Sequence, residues 1–102
     1  MTRTRVCSLS ELAEDSAVRA TIGDVAVCVA RSEGEVFAVN DRCSHADVSL
    51  AEGDVEDGSV TCWLHGSAFD LRTGAPRSLP ATQPVPTYAV SVEGDDVFVS
   101  LS

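Results

Sequence analysis

Two short segments carry the residues able to do chemistry: Cys43-Ser44-His45 and Cys62-Trp63-Leu64-His65, which together read C-x-H-x16-C-x2-H. A thiolate is a soft anionic metal donor and imidazole a neutral nitrogen donor. Each segment starts where an apolar β run ends, after Val39-Asn40 and after Val60-Thr61. Two loops at neighbouring strand ends can clasp one metal centre, each offering one thiolate and one imidazole. Zinc accepts two Cys and two His in tetrahedral geometry, but structural zinc sites space the first pair by roughly two to four residues. Only Ser44 separates Cys43 from His45. Ferric iron bridged by sulfide also suits thiolates. Two neutral imidazoles on one iron leave such a cluster less negative than four cysteines would, so it accepts an electron more readily and its potential rises.

The elements that must position these loops are short strands broken by turns. Val18 to Ile22 and Val25 to Ala30 flank Gly23-Asp24, a tight-hairpin signal. Val25, Val27 and Val29 alternate with Ala26, Cys28 and Ala30, so both faces are apolar and this strand is expected to be central. Ser32-Glu33-Gly34 turns into Glu35 to Val39, and Val60 to Trp63, Ala68 to Leu71, Tyr88 to Val92 and Val97 to Leu101 complete the set. Glu93 to Asp96 reads as another hairpin loop. The one helical hint is Ser10 to Glu14, where Ser10 could cap a single turn. Pro76, Pro80, Pro84 and Pro86 make Ala75 to Thr87 an ordered loop, since proline cannot sit in a central strand. Short β runs with regular turns predict an all-β antiparallel sandwich or barrel, a single domain over residues 1–102.

Composition narrows the function classes. Sixteen Asp and Glu stand against seven basic residues, all arginine, for a net charge of −9. Such a surface repels phosphate backbones, so nucleic acid is not expected as a partner. It would attract a partner with a basic docking face, at a rate that falls with salt. No apolar run approaches the roughly 18 residues of a membrane span. Met1 to Val6 carries Arg3 and Arg5 with no hydrophobic stretch behind them, so no secretory signal is expected and the location reads as cytoplasmic. That setting favours metal binding over disulfides for the four cysteines. Cys7 and Cys28 fall in strands far from any histidine and read as small buried hydrophobes. Asp70 and Arg72, followed by Thr73-Gly74, read as a structural strand and turn, and Glu52, Asp54, Glu56 and Asp57 as a solvated loop or a partner-facing patch.

With these residues in place, the sequence resembles the Rieske [2Fe–2S] family over nearly its whole length. The resemblance implies a β-sandwich with a small cluster-binding subdomain. Arg42 to Leu50 and Cys62 to Gly74 would be the two cluster-binding loops, and Ala75 to Pro86 the proline loop that shields the cluster. It assigns Cys43 and Cys62 to one iron and His45 and His65, nearest the surface, to the other. The cysteine pair that bridges the two loops in cytochrome bc relatives is replaced by Val48 and Leu64. Packing and hydrogen bonds must therefore hold the loops, as in the soluble ferredoxin branch. Trp63 and Leu64 are expected to cover the cluster. Ser67 matches a hydroxyl that contacts a bridging sulfide in high-potential relatives, while Phe69 matches a tyrosine but has no hydroxyl. One donor of two implies a potential toward the low end of the Rieske range, about −150 to +300 mV.

The chain has only two histidines, and the cluster would use both. A mononuclear oxygen-activating iron needs two more and a carboxylate, and there is no Gly-rich dinucleotide fingerprint. The expected role is therefore a non-catalytic, one-electron carrier, monomeric so that its redox face is free. The resemblance is to ferredoxin components of bacterial aromatic-ring dioxygenases, placed between a flavoprotein NAD(P)H-dependent reductase and a terminal oxygenase. Two other roles are similar to known short Rieske proteins: support of iron–sulfur assembly beside actinobacterial sulfur-mobilisation genes, and a small subunit like that of nitrite reductase. The second fits less well, because many such subunits have lost ligands that this chain keeps.

Overall fold

The computed structural model describes residues 3–42, 48–64, 66–77 and 83–101. Among them it forms strands and two 3₁₀ turns, with no α-helix. Three antiparallel strands joined by tight turns come first: β2 (Ser16–Ile22), β3 (Val25–Ser32) and β4 (Glu35–Asn40). They continue through β8 (Thr87–Glu93) and β9 (Asp96–Ser100) to β1 (Arg3–Ser8). The result is a six-stranded sheet in the order β1-β9-β8-β4-β3-β2. The two edge strands touch each other, so the sheet curls toward a barrel. A second sheet, β5 (Asp54–Glu56), β6 (Ser59–Thr61) and β7 (Ala68–Asp70), has three strands of three residues each.

The expected central strand is central in two senses. Val27 and Val29 on one face of β3 enter a core with Cys7, Leu12, Ala38, Val97 and Val99 inside the large sheet. Cys28 and Ala30 on its other face enter a second core with Val39, Leu50, Val55, Val60, Cys62, Phe69, Leu71 and Val85. A strand apolar on both faces is what two cores sharing one wall require. Cys7 and Cys28 are buried, as expected. Burial, with the Asp41 carboxylate adding, pushes the Cys28 thiol up to about 12, which makes it a packing residue without nucleophilic character.

The small sheet is an excursion between two paired strands. β4 and β8 are neighbours through Ala38↔Tyr88 and Val39↔Thr87, and the Asn40 N–H donates to the Pro86 carbonyl at 2.8 Å. Everything from residue 41 to 86 leaves and returns through that seam. All four candidate ligands fall in this excursion.

Three local expectations are corrected. Ser10 does not cap the turn: the 3₁₀ segment is Leu9–Glu11 behind Ser8, with no side-chain cap bond. Ser10 instead donates from its N–H and hydroxyl to the Asp95 carboxylate, at 2.9 and 3.0 Å. Glu52, Asp54, Glu56 and Asp57 are exposed, as expected, but the stretch is not all loop, because β5 runs through Asp54–Glu56 and buries Val55. One apolar residue in a three-residue strand leaves no alternation to read. The strand expected over Val60 to Trp63 is Ser59–Thr61, so Cys62 and Trp63 already belong to the loop.

Candidate metal centre

Of the four candidate ligands, Cys62 lies within the described residues; Cys43, His45 and His65 lie outside them. Cys62 follows the last residue of β6, is fully buried and is in no disulfide. Its N–H donates to the Ser67 carbonyl at 2.7 Å, and its carbonyl accepts the Gly66 N–H at 3.0 Å. These two bonds close the second loop at its root, directly beyond the Thr61↔Ala68 pair. Between the closing residues, Trp63 and Leu64 are 52% and 43% exposed. They are not core residues, so the apolar rings and methyls flanking Cys62 face outward. Ser67 is fully buried on the return side. Phe69, at the middle of β7, is fully buried in the same core as Cys62.

The strands that lead into the two loops, β4 and β6, sit in different sheets and are not hydrogen-bonded neighbours. The loops are brought together from the side. A 3₁₀ turn at Leu50–Glu52, on the returning end of the first loop, lies on β6. Leu50 and half-buried Val48 pack in the core that holds Cys62. Gly53 makes this approach possible, because a Cβ there would sit 1.8 Å from the Thr61 carbonyl oxygen, one residue before Cys62. No side chain fits without moving one loop off the other.

Sequence reading passed over the residues that close the first loop. Asp41 follows β4 directly and is 2% exposed. Its backbone carbonyl accepts the Leu50 N–H at 2.6 Å. Its carboxylate accepts the Ser49 hydroxyl at 2.5 Å and the Ala51 N–H at 2.8 Å. Arg42 and Ser49 form a further bridge across the neck. An aspartate after a strand reads as a turn former, and nothing local to the sequence says that it is buried.

The far end of the second loop is held by charge. The Arg77 guanidinium, 2.7 Å from Asp70, together with the N–H groups of Arg72 and Thr73, keeps the Asp70 carboxyl below its usual range. This bears out the strand-and-turn reading of Asp70 to Gly74. Gly74 then receives the proline loop: the Val85 N–H donates to its carbonyl at 2.9 Å, and a Cβ on Gly74 would lie 2.1 Å from the Val85 oxygen. Of the proline loop, residues 75–77 and 83–86 are described, with Val85 buried and Pro76 bridged to Phe69; residues 78–82, Pro80 among them, lie outside.

The donor set suits a sulfide-bridged iron centre. A buried, unpaired thiol stands at the root of a loop whose tip is exposed and apolar, and two cysteines with two histidines supply soft and neutral donors together.

Comparison with known proteins agrees with this chemistry. The family model for the Rieske [2Fe-2S] domain matches residues 2–89. The ferredoxin component of biphenyl 2,3-dioxygenase from Rhodococcus jostii (strain RHA1) is 45% identical over 99% of this chain and 94% of its own length. The ferredoxin of carbazole 1,9a-dioxygenase from Nocardioides aromaticivorans IC177 superposes with a TM-score of 0.91, at 35% identity over 98% of each chain. The ferredoxin solved in a complex of reduced oxygenase and oxidized ferredoxin in carbazole 1,9a-dioxygenase matches with a TM-score of 0.90, at 31% identity over 96% of this chain and 92% of that one.

Proposed function

This chain belongs to the Rieske [2Fe–2S] family and carries one [2Fe–2S] cluster, and from that premise we propose that it passes electrons from a flavoprotein NAD(P)H-dependent reductase to the terminal oxygenase of an aromatic-ring dioxygenase system. The observation that carries the reading is near end-to-end identity, 45% over 99% of the chain, with a protein named as a separate ferredoxin component. The names of these relatives favour the carrier role over cluster assembly or a nitrite-reductase subunit.

Cys43 and Cys62 would hold one iron, and His45 and His65 the other. The bound cluster supplies a one-electron store at a potential raised by its two neutral ligands. The chain's own residues then do three things. The closed roots at Asp41/Leu50 and Cys62/Ser67 hold the ligand loops. The core of Leu50, Cys62, Phe69, Leu71 and Val85 keeps water from the inner side. Exposed Trp63 and Leu64, which precede His65 in the sequence, present an apolar tip suited to brief contact with a partner. The net charge of −9 steers a basic docking face toward the molecule. As a carrier it acts as a cytoplasmic monomer, with its redox face free to meet each partner in turn. Among the described residues no helix is long and apolar enough to cross a membrane.

Reconstitution tests this. With an NAD(P)H-dependent ferredoxin reductase and a Rieske-type terminal oxygenase, turnover is expected only when this protein is added. The rate should fall as salt rises from low to about 0.15 M, where screening acts within about 8 Å. Reduction of the purified protein without any onward transfer to such oxygenases would remove the proposed role while leaving the cluster in place.

A further inference from the structure

We infer that Asp41 is a positioning residue for the cluster, its buried carboxylate closing the neck of the segment whose sequence carries Cys43 and His45. The inference rests on the Rieske reading of those ligands. Asp41 binds three consecutive residues on the returning side of the loop: the Ser49 hydroxyl, the Leu50 N–H and the Ala51 N–H. Its own N–H donates to the Ala26 carbonyl at 3.0 Å, which anchors the neck to β3 of the large sheet.

The carboxylate is not an ordinary turn former. An Asx side chain at a strand end normally bonds the backbone two residues on. Asn40 fills that role here, with its oxygen accepting the Arg42 N–H at 3.0 Å. Asp41 is left to reach across the loop. Burying a carboxylate is costly unless hydrogen bonds satisfy it. Here the bonds come from the loop itself, and Arg19 stands at 3.3 Å with a side chain 61% exposed. Arg19 reaches the carboxylate from the solvent side, whereas the Ser49 and Ala51 bonds span the neck, so it is the hydrogen bonds and not the ion pair that tie the two ends of the loop. Beyond the neck, the Leu50–Glu52 turn seats Gly53 against Thr61, next to Cys62. One carboxylate thus fixes the first loop and, through that turn, its distance from the second. Groups that orient ligands in this way set both how firmly a metal centre is held and its redox properties.

The experiment compares holo wild type with Asp41→Ala, Asp41→Asn, Ser49→Ala and Arg19→Gln, all prepared anaerobically. It reads the lifetime of the visible chromophore against a chelator, the electron-paramagnetic-resonance spectrum of the reduced form, the midpoint potential, and amide exchange at Leu50 and Ala51. Asp41→Ala is expected to shorten the chromophore lifetime by about 10–100-fold, as loss of an outer-shell partner does. It should also broaden the resonance spectrum, shift the potential and speed exchange at Ala51, whose N–H bonds the carboxylate, more than at Leu50, whose N–H bonds the backbone carbonyl that alanine keeps. Asp41→Asn keeps an oxygen for the Ala51 N–H and should recover most of the lifetime. Arg19→Gln should match wild type. If Asp41→Ala does not fold, Ser49→Ala decides, and it should give a smaller shortening in the same direction. A drop in melting temperature for Asp41→Ala with lifetime, spectrum and potential unchanged overturns the inference, as does an unchanged Ser49→Ala where that variant decides. A wild-type protein without the cluster would instead remove the Rieske reading beneath it.

Discussion

Replacing Cys62 with alanine is expected to abolish the visible chromophore and to lower stability by about 3 kcal/mol. The second figure comes from loop closure. Cys43 and Cys62, joined through the one iron they would share, would close a stretch of 20 residues, and a cross-link over a loop of that size removes unfolded-state entropy worth about 3 kcal/mol. At about 4–8 °C per kcal/mol for a domain of this size, the melting temperature should drop by more than about 10 °C. His45→Ala should behave in the same way, because a cluster short of one ligand is released and its share of the folding free energy goes with it. Cys28→Ala is the control. It also removes a fully buried sulfur, but one in the wall between the two cores, so it should cost stability and leave the chromophore intact. Absorption spectra and thermal melts of the variants check this. A normal Rieske spectrum in Cys62→Ala, or its loss in Cys28→Ala, would end the assignment of these two cysteines.

Phe69→Ala should destabilise the protein by about 3–5 kcal/mol, the range for removing a buried aromatic ring. Phe69 has no exposed surface and packs in one core with Leu50, Cys62, Leu71 and Val85. The sheet it belongs to has three strands of three residues each, too few ladder bonds to stand without that packing. Both ligand loops meet on the same core, so bleaching of the chromophore should accompany unfolding of the small sheet. Val99→Ala offers the contrast. Val99 is buried in the other core, inside the large sheet. Its loss should lower overall stability while leaving the native chromophore lifetime near wild type. Urea unfolding followed at the chromophore and by backbone circular dichroism separates the two. A cost for Phe69→Ala below about 1 kcal/mol would show that the small sheet is held by something other than this ring.

The two variants probe different links between sequence and function. A candidate ligand set could be named from the chain because metal chemistry depends on side-chain type and on local spacing, and Cys-x-His with Cys-x2-His supplies both. The Gly23-Asp24, Glu33-Gly34 and Gly94-Asp95 turns were legible for a similar reason: a hairpin turn is decided within four residues. The central place of β3 was legible because every residue from Val25 to Ala30 is apolar, and only a strand covered on both sides tolerates that.

What sequence did not determine depends on partners distant along the chain. That Asp54 to Glu56 pairs with Ser59 to Thr61 follows from Val55 finding a core built by Leu50, Phe69 and Leu71. That Trp63 and Leu64 face outward follows from the root bonds between Cys62 and Ser67, which turn the tip away from the core. Asp41 reads as one more turn residue until the return of Ser49, Leu50 and Ala51 surrounds it. Local chemistry and local turn geometry are written residue by residue, so they survive in the bare sequence. Burial is a property of the space between segments, and only the folded chain decides which side of each loop meets water.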